Sequence, residues 1–141
     1  MKWVFRIAVV LIVLAGIGAV AVSYFFGSMR VQREAAAYLE ALDTCTPFEQ
    51  QAWSPLLRGS LGRSVAGTQD GACVVTMKAL GGGQIRCALD ADGVALMRDY
   101  VQEGADTVTF LGGQTASLRY SSENADPMTR LLNGPDCAME Q

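Results

Sequence analysis

The chain has 141 residues, a formal charge of −3 and no histidine. That length suits one domain and leaves no room for two domains plus a membrane segment, and the missing histidine excludes His-based catalytic triads, histidine metal sites and histidine pH switches. The charge is unevenly shared: residues 28–141 carry nine bases against fourteen acids, which argues against nucleic acid and against a basic patch on anionic lipid.

From Ile7 to Phe26 the chain has no charged residue, and only Ser23 is polar. A helix needs about 20 apolar residues to cross the hydrocarbon core, and this run supplies them. Trp3 precedes it and Tyr24, Phe25 and Phe26 end it, an arrangement that suits two membrane interfaces. Lys2 and Arg6 favour a cytoplasmic amino terminus, so the expectation is a single-pass inner-membrane protein, N-in, attached through Ile7–Phe26, with the rest in the periplasm. The competing expectation is a signal peptide cut at Ala19-Val20-Ala21, releasing the chain after Ala21. The apolar run continues past that site through Phe26, which favours a retained anchor.

Ser28 to Asp43 reads as a stalk helix, because Val31, Ala35, Tyr38 and Leu42 make one apolar stripe and Arg30 and Glu34 form an i,i+4 pair on a polar face. Pro47 ends it near Cys45. Thr46 to Gly62 reads as a loop packed over the core, with Pro47, Pro55 and Gly59; its large apolar groups Phe48, Trp53, Leu56 and Leu57 are the candidate partner contacts. Three strands follow, at Arg63–Thr68, Ala72–Leu80 and Gln84–Asp90, turned by Asp70-Gly71 and by Gly81-Gly82-Gly83. Alternation puts Cys73, Val75 and Met77 on one face of their strand, and Ile85, Cys87 and Leu89 on one face of theirs. A helix near Gly93–Glu103, capped by Asp90 or Asp92, comes next. A second hairpin is expected over Asp106–Gly112 and Gln114–Ser122, then a short helix capped by Asp126 with Pro127 in its first turn.

The expected architecture is therefore α+β. An anchor (1–27) and a stalk helix (28–45) lead to an extracytoplasmic domain (46–141). Its antiparallel sheet has the element order β-β-β-α-β-β-α, with helices on one face.

Cys45, Cys73, Cys87 and Cys137 are separated by 28, 14 and 50 residues. Structural zinc and thioredoxin-type redox sites both need close pairs, so two disulfides in an exported domain are expected, stapling the sheet. The shared buried face favours Cys73–Cys87 with Cys45–Cys137. The alternatives send one strand cysteine to Cys45 and the other to Cys137. Lys78 lies on the polar face of its strand, which argues against Ser-Lys catalysis. The acids of Asp90-Ala91-Asp92-Gly93 fit helix capping better than a calcium loop. The triple glycine joins two strands and lacks the context of a phosphate loop. No acid stands out as a catalytic candidate, and no metal or cofactor is expected.

The function expected from this pattern is non-enzymatic: a membrane-anchored domain binding another envelope protein as an accessory subunit, with no small-molecule substrate. A cleaved periplasmic binding or inhibitor module is the soluble counterpart. The layout also resembles type IV pilins and pseudopilins, in which an apolar helix runs into an amphipathic one and an antiparallel sheet with a late cysteine follows. That resemblance implies a filament subunit. Pilins also carry a basic leader, a glycine cleavage site and a glutamate early in the apolar segment; here the apolar run starts straight after Arg6 and the first acid is Glu34.

Overall fold

A computed structural model describes residues 2–54, 59–79, 82–109 and 127–140. Helix α1 spans Lys2–Phe26 and α2 spans Ser28–Thr44. At about 1.5 Å per residue, α1 is about 37 Å long and exceeds the hydrocarbon thickness. Most of its large apolar side chains, including Phe5, Ile12 and Leu14, face outward, as they do when lipid is the solvent. Gly27 interrupts the helix with an extended backbone (ψ −158°), yet its N–H still bonds Ser23 O at 3.0 Å.

Helix α2 buries Ala35, Tyr38 and Leu42 of the expected stripe, together with Ala41. It ends on Cys45, which takes a left-handed conformation (φ 47°) while Thr46 N–H closes back on Ala41 O at 3.0 Å. Five strands then form an antiparallel meander in the spatial order β1-β2-β3-β4-β5: Phe48–Ser54, Gly59–Gln69, Ala72–Lys78, Gln84–Leu89 and Cys137–Glu140. Between β4 and β5 come α3 (Ala91–Asp106) and α4 (Pro127–Leu132). Asp70 and Gly71 both have positive φ, the tight turn expected between β2 and β3. The Asp90 carboxylate caps α3 by accepting the Gly93 N–H at 2.8 Å.

Register fixes the core. Phe48, Val65, Val75, Cys87 and Cys137 form one row across all five strands, and Gln50, Arg63, Met77, Ile85 and Met139 form the next. The first row meets Tyr38 and Leu42 of α2 and Met97 and Val101 of α3 in a single cluster. Both helices thus cover the same face of the sheet. The opposite face carries Glu49, Gln51, Ser64, Thr76, Lys78 and Gln84.

Two expectations need correction. The described element order is β-β-β-β-α-α-β. The segment read as a loop after Thr46 contains β1, because its residues pair with β2 along their whole length, from Phe48↔Val65 to Ser54↔Gly59. The tail adds a fifth strand, because Cys137 lies directly opposite Cys87. The expected second hairpin lies mostly outside the described residues; of its start, Asp106 closes α3 and Thr107 caps it.

The favoured cysteine pairing is also overturned. Cys73 faces Leu89, and Cys87 faces Val75, so the two are offset by two residues and do not oppose each other. The disulfides are Cys45–Cys73 and Cys87–Cys137. The first fastens the end of α2 to the sheet, and the second fastens β5 to β4.

Candidate functional site

The richest polar chemistry among the described residues lies where α1 gives way to α2. The break at Gly27 frees carbonyls at the end of α1, and Arg30 Nη1 donates to one of them, Phe25 O, at 3.0 Å. The same guanidinium donates from Nε to Glu34 Oε1 at 2.8 Å and stacks over the Trp53 ring, 5.0 Å from its centroid. Arg33 lies over the Tyr24 ring at 4.3 Å. Both arginines therefore reach back to the end of the apolar helix.

Glu34 makes the link to the sheet. Its Oε2 accepts the Trp53 N–H at 2.6 Å. Among the described residues β1 is the sheet's edge strand, so this carboxylate occupies a donor that a further strand would otherwise take. Arg63 reaches the same turn of α2 from β2. Its Nη2 donates to Glu34 O and to Gln50 Oε1, each at 2.8 Å, while Nε donates to Gln50 Oε1 at 2.9 Å. Its guanidinium stacks on Tyr38, 4.4 Å from the ring centroid.

Burial shapes the electrostatics here. It pushes the Tyr38 phenol up to about 12, with the positive charge of Arg63 pulling the other way. Burial also lowers the Arg63 guanidinium below its ordinary value, opposed by Tyr38, Glu34 and Tyr100. Tyr38 is 0 % exposed, and its Oη has no hydrogen-bond partner among the described residues.

Of the candidate contact residues, Trp53 is half-buried in this junction and Phe48 is half-buried against the core cluster. Leu56 and Leu57 lie outside the described residues. All four cysteines are consumed in disulfides. Among the described residues there is no group of three or more His, Cys, Asp or Glu side chains placed to hold a metal. Sequence reasoning found the Arg30–Glu34 spacing but missed Arg63 and Tyr38 as its neighbours. Arg63 lies 29 residues from Glu34 and comes beside it only through strand register.

Fold and junction together define a class: a small α+β domain with a disulfide-stapled sheet, carried on one N-terminal helix long and apolar enough to cross a membrane. No protein-family model matches this chain, and neither does a curated protein or a solved structure.

Proposed function

We propose that this protein is a single-pass, N-in membrane protein whose extracytoplasmic domain acts by binding another envelope protein, not by catalysis. The observation that carries this is the junction of Arg30, Glu34 and Trp53, which fastens the helix exit to the sheet edge through an ion pair and a 2.6 Å hydrogen bond. An anchor coupled in this way presents its domain at a set orientation to the bilayer, which is useful for docking against a neighbour embedded in the same membrane. Phe48, Trp53, Leu56 and Leu57 are the proposed contact region. The disulfides support an oxidising compartment.

Extraction of the intact chain in mild detergent tests the proposal. A complex of defined stoichiometry is expected, and Trp53→Ala should dissolve it while leaving both disulfides formed. Recovery only as a monomer under every mild condition would refute it. A pilin-like filament subunit is the second reading, favoured by the way α1 passes into α2 with only Gly27 between them. N-terminal sequencing of the mature protein separates the two, since a processed pilin would lack its leader.

A further inference from the structure

Among the described residues the sheet has two edges, and both carry outward backbone groups. On β5 the Asp136 carbonyl accepts the Ala88 N–H at 2.8 Å, one step beyond the Cys87–Cys137 pair. Alternation in an antiparallel ladder then turns Ala138 and Glu140 toward β4, and turns the N–H and C=O of Cys137 and Met139 outward. On β1 the outward N–H of Trp53 is taken by Glu34, so the same alternation turns the N–H and C=O of Glu49 and Gln51 outward. The Met139 side chain at the β5 edge is 72 % exposed.

The two edges carry complementary charges. On the sheet face away from the helices, one row starts at Glu49 on β1 and ends in Arg86 and Ala138. The next starts at Gln51 and ends in Gln84 and Glu140. Lys78 reaches the β1 end of that second row because Gly62 has no side chain: a Cβ there would stand 3.3 Å from Lys78 Cδ and 3.4 Å from Gln51 Nε2. The β1 edge thus presents Glu49 and Lys78, and the β5 edge presents Arg86 and Glu140. All four are exposed, and among the described residues none has an ion-pair partner.

Direction selects the partner. Strands of an antiparallel meander alternate, so β1 and β5 run the same way, and a second copy moved sideways without turning brings its β1 against β5. Helix α2 runs along β2, because Glu34 O meets Arg63 while Cys45 is joined to Cys73, opposite Thr68. Eleven residues of helix and five of strand separate these contacts, and each stretch covers about 16 Å. Bonds from Gly27 N–H to Ser23 O and from Val31 N–H to Gly27 O carry α1 into α2. Strands and anchor therefore point in about the same direction. A sideways copy keeps its anchor parallel to the first, at a repeat of about 24 Å for five strands. Two-fold pairing of like edges reverses every direction in the sheet plane and would turn one anchor away from the bilayer.

We propose that copies of this chain associate head to tail, with β5 of one pairing in parallel with β1 of the next. Because Glu34 occupies the Trp53 N–H, the register falls on Glu49 and Gln51. Met139 then bonds both through its N–H and C=O, Glu140 meets Lys78 of the next copy beside Gln51, and Arg86 reaches the next copy's Glu49 over the small Ala138. The proposal rests on the membrane-anchored reading above and goes beyond the binding of a different protein.

Sedimentation of the full chain in mild detergent tests it. The parent should form dimers, trimers and longer species as its concentration rises. Met139→Pro and Gln51→Pro each remove only an outward N–H, so both should keep two disulfides and yet sediment as monomers. Mixed together, they should form dimers and nothing longer, since one intact β5 then meets one intact β1. Glu140→Lys should raise the concentration needed for dimers by about fivefold, the upper worth of an exposed ion pair, and Lys78→Glu in the same chain should restore it. A parent that stays monomeric at every concentration overturns the proposal and leaves the edges to a strand of another protein. A series of oligomers that survives either proline overturns it too. So does a dimer lost in Met139→Pro but kept in Gln51→Pro, which would mean two β5 strands facing each other. A chain found cut after Ala21 that still forms the mixed dimer would sink the anchored reading and leave the contact standing.

Discussion

At the scale of single residues, Tyr38 gives the sharpest expectation. Its phenol is buried and its oxygen is unsatisfied among the described residues, so neutral Tyr38 gains nothing from its hydroxyl. Tyr38→Phe should leave stability at pH 7 unchanged or slightly raised. The pH dependence has a definite sign. The folded pKa is pushed up to about 12, above the ordinary 10.0. Deprotonation therefore favours the unfolded chain, and stability present below pH 10 is lost as pH rises toward 12. A rise of that size corresponds to about 2–3 kcal/mol. Urea unfolding from pH 8 to 11.5 should show that decline in the parent and a shallower one in Tyr38→Phe. Comparing the two isolates Tyr38 from Arg63, whose lowered pKa works in the opposite direction. Equal slopes would mean that the phenol is not buried. Glu34→Ala removes the acceptor for Arg30 and for the Trp53 N–H together, leaving both donors in a part-buried site. A loss of about 1–3 kcal/mol is expected by the same titration.

At the scale of elements, the disulfides divide the work. Cys45–Cys73 closes 28 residues and Cys87–Cys137 closes 50. The chain-entropy model assigns these loops about 3.5 and about 4 kcal/mol. The structural consequences should differ more than the energies do. Cys87→Ala with Cys137→Ala should release β5, which among the described residues has only β4 as a strand neighbour, and raise amide exchange over Cys137–Glu140 first. Cys45→Ala with Cys73→Ala should loosen the end of α2, and with it the whole covering layer. Uniform loss of protection in both double variants would contradict this division. The elements also show what sequence can carry. Strands β2 to β4 and helices α2 and α3 were legible, because alternation and helical spacing each mark a half-buried element. Strand β1 was not. Phe48-Glu49-Gln50-Gln51-Ala52-Trp53-Ser54 lacks β-branched residues and lies between two prolines, and only pairing with β2 makes it a strand. The cysteine pairing failed for a related reason. Alternation fixes which face a residue takes, but register decides its partner, and a two-residue offset keeps the face while changing the neighbour. The junction was half legible: Arg30 and Glu34 were visible as an i,i+4 pair, whereas Arg63 needed the fold.

At the scale of the whole molecule, the apolar helix decides how the protein behaves. Outward-facing Phe5, Leu11, Ile12 and Leu14 on α1 form far more continuous apolar surface than a protein in water exposes. On the proposed reading this helix sits in lipid, and on the competing one it is removed as a signal peptide. Retention and removal differ in mass by residues 1–21, which one measurement resolves. Protein extracted from membranes should have the mass of the whole chain less four hydrogens, because four cysteines are joined in two disulfides. Reductant should return all four. On the N-in reading, protease added outside spheroplasts should reach the domain and, once reductant has opened the disulfides, digest it to a membrane-held fragment containing α1. The junction predicts how this digestion begins. If Arg30 and Glu34 brace the helix exit against β1, Arg30→Ala should open the chain near Gly27 to cleavage while the disulfide-stapled sheet stays resistant. If Arg30→Ala leaves the cleavage pattern unchanged, the bracing at the helix exit is not what holds the domain to α1.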